Sequence, residues 1–149
     1  MSLIWLAVAG AIILAGVAAY AASLLLRLRA QQLTRQQAIR ARNLRILESV
    51  QVIAKAVQEG QCDPSEGAIR LTNLLDALQM VHSQPLPEQY PGLYGLYEKI
   101  RHLATHEARS ALEKRERMRQ DLERVKHEAD YNDQIQEDVA RLAIFTLPE

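Results

Sequence analysis

The chain has 149 residues, with 18 Lys or Arg against 18 Asp or Glu, so its formal charge is zero. That length allows one modest domain rather than two, and a lone cysteine excludes an internal disulfide framework. The zero hides an asymmetry: residues 27–47 carry six Arg and no acid, whereas residues 48–149 carry twelve basic against eighteen acidic side chains, a net of −6. An acidic body of that kind disfavours nucleic acid as a partner.

The first element dominates the chain. Residues 3–26 form a run of 24 without a charge, ended by Arg27. As a helix this run extends about 36 Å, enough to cross a hydrocarbon core about 30 Å thick with some tilt. A helix also satisfies its own backbone donors and acceptors where no water is present. Eleven Leu, Ile or Val residues favour insertion by about 5 kcal/mol in total. Trp5 stands where an interfacial aromatic belongs. The segment is therefore expected to be a transmembrane anchor over residues 1–26. A cleaved signal peptide fits less well, although Ala19-Tyr20-Ala21 resembles a cleavage site. Signal peptides have a basic leading region and a shorter apolar core.

Flanking charge sets the direction. No charged side chain precedes the run; Arg27, Arg29, Arg35, Arg40, Arg42 and Arg45 follow it before the first acid, Glu48. Arg and Lys collect on the cytoplasmic side, so the N-terminus is expected outside and residues 27–149 inside. The same six Arg form a collar suited to anionic headgroups at the membrane surface. Within the anchor, Ala11, Ala15, Ala18 and Ala22 recur at helical spacing. Such small residues let another membrane helix approach closely.

Beyond the collar the period is helical throughout, with no sustained alternation. The fold class expected is all-α: a membrane helix followed by a cytoplasmic antiparallel helical bundle with long amphipathic helices. The first of these runs from Arg27 to about Glu59 through Ile39, Ile46, Val50, Ile53 and Val57, and Gly60 stops it. Whether it continues the membrane helix or breaks near Gln31-Gln32 is open. Asp63-Pro64-Ser65-Glu66 reads as an N-cap, a Pro at the first helical position and an early Glu. The helix it opens carries Ala68, Leu71, Leu74, Leu75, Leu78 and Val81 and is expected to end near His82, before two prolines. Pro91 begins a short helix through Leu93, Leu96, Ile100 and Leu103. A long coiled-coil-like stripe then passes through Ala108, Leu112, Met118, Leu122, Val125, Ile135, Val139 and Leu142, interrupted by Arg115 and Asn132. A single helix of about 35 residues, or a break at residues 130–133, would account for it. The simplest packing lays this helix antiparallel along the collar helix.

Reactive chemistry is scarce. His102 and His106 would share a helix face at i, i+4, which is a two-ligand start for a metal site. Neither His106-Glu107 nor His127-Glu128 completes the two-His zinc motif, because Ser110 and Tyr131 occupy the needed positions. The six glycines are scattered and form no phosphate loop. Cys62 has no His at a suggestive spacing. The expectation is a chain without catalytic residues, cofactor or small-molecule substrate. Residues 85–97 hold three of the five Tyr and three of the five Pro. Tyr90, Tyr94 and Tyr97 there either contact a partner or close the core with their hydroxyls wet.

Taken with the N-terminal span and the Arg collar, the Tyr90-Pro91-Gly92-Leu93-Tyr94 segment and the charged run at residues 113–124 resemble a family of small gammaproteobacterial membrane-anchored proteins of unknown function. The resemblance covers the whole chain. It implies a bacterial inner-membrane setting and supplies no reaction, cofactor or catalytic residue; in that setting the flanking Arg residues put the N-terminus in the periplasm. The reading that follows is a non-enzymatic interaction or scaffold protein whose partners are the bilayer and either other membrane or cytoplasmic proteins or itself. An accessory subunit of a larger inner-membrane complex, held through the Ala stripe, is one alternative, and a metal-binding protein using His102 and His106 is another.

Overall fold

The computed structural model describes residues 2–80 and 85–147, the side chains of Ser2 and His106 excepted. Every regular element among the described residues is a helix. The elements are α1 (Ser2–Gln58), α2 (Pro64–Asp76), α3 (Leu86–Gln89), α4 (Pro91–Ile100), α5 (His106–Ser110) and α6 (Lys114–Ala143). Helix α1 is unbroken at Gln31-Gln32. By compactness the chain divides into two units between Ala41 and Arg42.

The first unit is helix alone. From Leu3 to Ala41 every side chain is exposed except Ser23 and Ile39, which are half-exposed. Its apolar surface includes Ile12, Leu14 and Leu26, each with more than 60% of its area open. The hydroxyls of Ser23 and Thr34 are satisfied locally: Ser23 Oγ donates to Tyr20 O at 2.7 Å and Thr34 Oγ1 to Ala30 O at 3.0 Å. Along residues 3–26, a helix with no charge and with its one serine hydroxyl bonded to its own backbone suits an apolar solvent.

The second unit holds the core. The last turns of α1 contribute Val50, Ala54 and Val57; α2 contributes Ala68, Leu71 and Leu75; α4 contributes Leu93, Leu96 and Ile100; α6 contributes Ile135, Val139 and Leu142. All are buried at the expected three-and-four spacing. Gly60 ends α1 as expected. Its φ of 70° lets Gln61 N–H reach Ala56 O at 2.8 Å and Gly60 N–H reach Val57 O at 3.1 Å, a Schellman closure.

Three boundaries differ from the sequence expectation. Helix α2 stops at Asp76, not near His82, yet Leu78 beyond it is still buried; Val81 and His82 lie outside the described residues. Helix α4 ends at Ile100, and Leu103 is buried from the following turn. The long C-terminal run breaks at residues 111–113, not at 130–133. No Pro or Gly marks that break. Tertiary bonds hold it: Arg109 grips Asp121 through Nε at 2.9 Å and Nη2 at 2.6 Å, and Arg117 donates to the carbonyl of Leu112 at 3.0 Å.

The packing order also differs. The most extensive helix packing is α4 on α6, then α2 on α4, rather than α6 along α1. Glycine permits it. A Cβ on Gly92 would lie 2.6 Å from the Gln134 carbonyl carbon and 2.7 Å from Ile135 N, and one on Gly95 would strike the Tyr131 ring. Helix α1 joins the unit's other elements through specific bonds: Asn43 exchanges two with the backbone of Gln79, at 2.8 and 3.2 Å, and Gln51 Nε2 donates to Phe145 O at 2.9 Å.

Candidate functional site

Helix N-termini present unpaired amide donors, and α6 supplies acceptors to two of them. The side chain of Tyr90, at the N-cap of α4, makes no cap bond. Asp138, only 1% exposed, takes that role and accepts from Leu93 N–H at 3.0 Å through Oδ2. Its other oxygen receives Arg141, which also donates to Gln89 O and lies 5.1 Å from the Tyr90 ring centroid. At α2, Asp63 has the extended N-cap backbone but its carboxylate makes no cap bond. Glu128 of α6 accepts from Ser65 N–H instead, at 3.3 Å. Sequence reading missed Asp138 and Glu128. The signal for Asp138 was available: an acid at i+3 from Ile135, inside the buried stripe Ile135, Val139, Leu142.

The tyrosines of residues 85–97 divide. Tyr90 is buried, and that burial pushes its phenol pKa up. Tyr94 is half-buried and donates to Asp76 Oδ1 at 2.6 Å; burial and then that bond push its pKa up as well. Tyr97 is half-buried on the wall of a groove. The histidines do not share a helix face. His102 sits in the turn after α4, Thr105 is extended, and α5 starts at His106, whose side chain lies outside the described residues. His102 Nε2 is instead 3.4 Å from Glu123 Oε1, which is also 4.0 Å from His127 Nε2. Among the described residues no three His, Cys, Asp or Glu are placed to share a metal ion.

Arg27, Arg29, Arg35, Arg40, Arg42 and Arg45 are all exposed, and none has an ion-pair partner among the described residues. Ala11, Ala15, Ala18 and Ala22 are exposed too. Cys62 is half-buried, and burial raises its thiol pKa, with Glu66 adding to the effect.

The described residues of the second unit line grooves on its surface, of which two bear on the candidate site. One, of about 1000 Å³, opens between α2, the C-terminal half of α4, α5 and α6. The other, of about 860 Å³, is a shallow groove beside Met118, Leu122 and Val125 on the exposed first half of α6.

A chain that is all-helical among its described residues, with one helix there long and apolar enough to cross a membrane, is the class these observations define. The chain belongs to the family described as "Protein of unknown function (DUF2489)", whose model matches residues 14–142. It is 40% identical over 124 residues to an uncharacterized protein of Haemophilus influenzae, covering 83% of this chain and 82% of that one. No solved structure matches it.

Proposed function

We propose that the protein is a single-span inner-membrane interaction protein, N-terminus periplasmic, that displays its helical second unit in the cytoplasm and works by docking rather than by catalysis. One observation supports this most: residues 3–26 carry no charge, and the apolar window of their helix is not buried at all within the molecule. A soluble protein would cover such a face, because each buried Leu or Ile is worth about 1.5–3 kcal/mol. Lipid covers it without a protein partner. The exposed Arg collar fits the cytoplasmic headgroup layer, where each Arg adds about 1 kcal/mol.

Fractionation and topology test the reading. The full chain is expected in the membrane pellet after alkaline wash, and a phosphatase fused after Glu149 is expected to be inactive. Leu14→Arg, costing about 3 kcal/mol of insertion near mid-bilayer, is expected to shift protein to the soluble fraction. Full-length protein in the soluble fraction without detergent overturns the anchor. Crosslinking in native membranes tests docking: recovery as a monomer at every expression level overturns it.

A further inference from the structure

The apolar stripe on the first half of α6 is uncovered, and the charge on either side of its middle is ordered. Met118, Leu122, Val125 and Ala129 follow at three- and four-residue spacing and are all exposed. The first three line the groove of about 860 Å³. Residues 114–119 hold four cations and one acid, a net of +3. Residues 128–133 hold three acids and no cation, a net of −3. Residues 120–127, between them, carry two charges of each sign and balance. At the ends of this pattern Lys114, Arg115, Asp130 and Asp133 are exposed, with no salt-bridge partner among the described residues.

Charge that changes sign about the middle of an apolar stripe selects among occupants. An anionic lipid surface would attract residues 114–119 and be repelled by residues 128–133. A uniformly acidic or uniformly basic partner meets the same conflict at one end or the other. A helix whose charge runs the opposite way satisfies both ends, and α6 of a second copy, reversed, is such a helix. The two midpoints then coincide between Glu123 and Arg124. Leu122 meets the partner's Val125, Met118 meets the partner's Ala129, and each cationic segment lies beside an acidic one. A parallel pair would set the two cationic segments against each other.

We propose that this face docks a second copy of the chain through an isologous, antiparallel pair of α6 helices; the proposal rests on the reading of the protein as a membrane-anchored docking protein. One helix stripe is smaller than the roughly 20–30 residues per side of a standard interface. The pair therefore depends on the anchor, which confines the copies to one membrane and raises their effective concentration.

The experiment is oxidative cysteine crosslinking of the full chain in isolated native membranes, with Cys62→Ser as the background. Chains carrying Met118→Cys and Ala129→Cys, differently tagged and co-expressed, are expected to form a disulfide-linked mixed dimer. Met118→Cys alone is not, because its two copies lie roughly 16 Å apart along an antiparallel pair. Asp130→Lys with Asp133→Lys is expected to cut the mixed dimer about threefold or more, and Lys114→Glu with Arg115→Glu in the same chains to restore it. Absence of the mixed dimer in chains that still pellet with the membrane overturns the pair and leaves the anchor standing; loss of the chains from the pellet overturns both. Met118→Cys linking to itself as readily as to Ala129→Cys, a yield indifferent to charge reversal, or adducts only with a chain of another mass would also overturn the proposal.

Discussion

The two halves of α6 share one helix and one apolar period, yet meet opposite surroundings. Ile135, Val139 and Leu142 in the second half are fully buried, whereas Met118, Leu122 and Val125 in the first are exposed by 65%, 72% and 59%. What separates them is α4. Its Gly92 and Gly95 bring it onto the backbone and ring at residues 131–135, and α4 ends before reaching the earlier stripe. Period identifies a face that can be covered; only a neighbour of the right length and closeness covers it.

Truncations should expose this difference most strongly. In the second half, Ile135→Ala is expected to cost roughly 2–5 kcal/mol of stability, from lost transfer and an unfilled cavity. Urea denaturation of the full chain in micelles, followed by circular dichroism, measures it; a loss below 1 kcal/mol would mean that α4 does not close on α6 as described. Asp138→Ala is expected to cost about 3 kcal/mol by the same assay, because Leu93 N–H loses its acceptor and Arg141 its carboxylate. Asp138→Asn, which keeps an acceptor, should recover part of that.

Gly92→Ala probes the close approach itself. Its new methyl meets backbone, which has no rotamer to retreat into, so a loss of about 1–3 kcal/mol is expected. A neutral outcome would show that the two helices have room to separate.

The first half depends on charge instead. Glu116, held by Arg119 and Gln120, has its carboxyl pKa lowered from 4.5 to about 2, and Arg109 lowers that of Asp121. Groups with lowered folded values contribute fully above the unfolded pKa and lose that contribution as pH falls through the folded one. Amide protection factors at residues 109–121, taken relative to intrinsic exchange at each pH, should therefore hold steady from neutral pH to about pH 4.5, then fall toward about pH 2, and added salt should lower them. Leu122→Ala is the smallest effect: with the side chain mostly in solvent, a change within about 0.5 kcal/mol is expected. A larger loss would reveal that this stripe is covered in the membrane-bound protein.

Local rules were legible wherever one residue type forces one geometry. Gly60 stops α1 because its φ of 70° suits glycine. Pro64 and Pro91 open α2 and α4 because a first-turn N–H has no intrahelical bond for proline to lose. The buried faces of α2, α4 and late α6 were readable from spacing alone. Less visible was anything settled by a distant partner. The corner at residues 111–113 carries no Pro or Gly, and depends on Arg109 meeting Asp121 and Arg117 meeting loop carbonyls. His102 and His106 look like a helical pair only while the chain between them is assumed helical; extended Thr105 parts them.

The candidate groove shows the same division. Asp63, Ser65 and Glu66 stood out in the sequence as a helix start. That Asp63 leaves the capping to Glu128, sixty-five positions on, follows only once α6 lies against α2.

The sequence by itself determined an uncharged helix of bilayer length, an Arg collar after it and an acidic helical body, because composition and period act through neighbours a few residues apart. Tertiary structure decided which half of α6 is covered, which carboxylate caps which helix and which acids stay unpaired. Those outcomes depend on contacts between residues far apart in the chain, where a methyl's width at Gly92 is enough to change the answer.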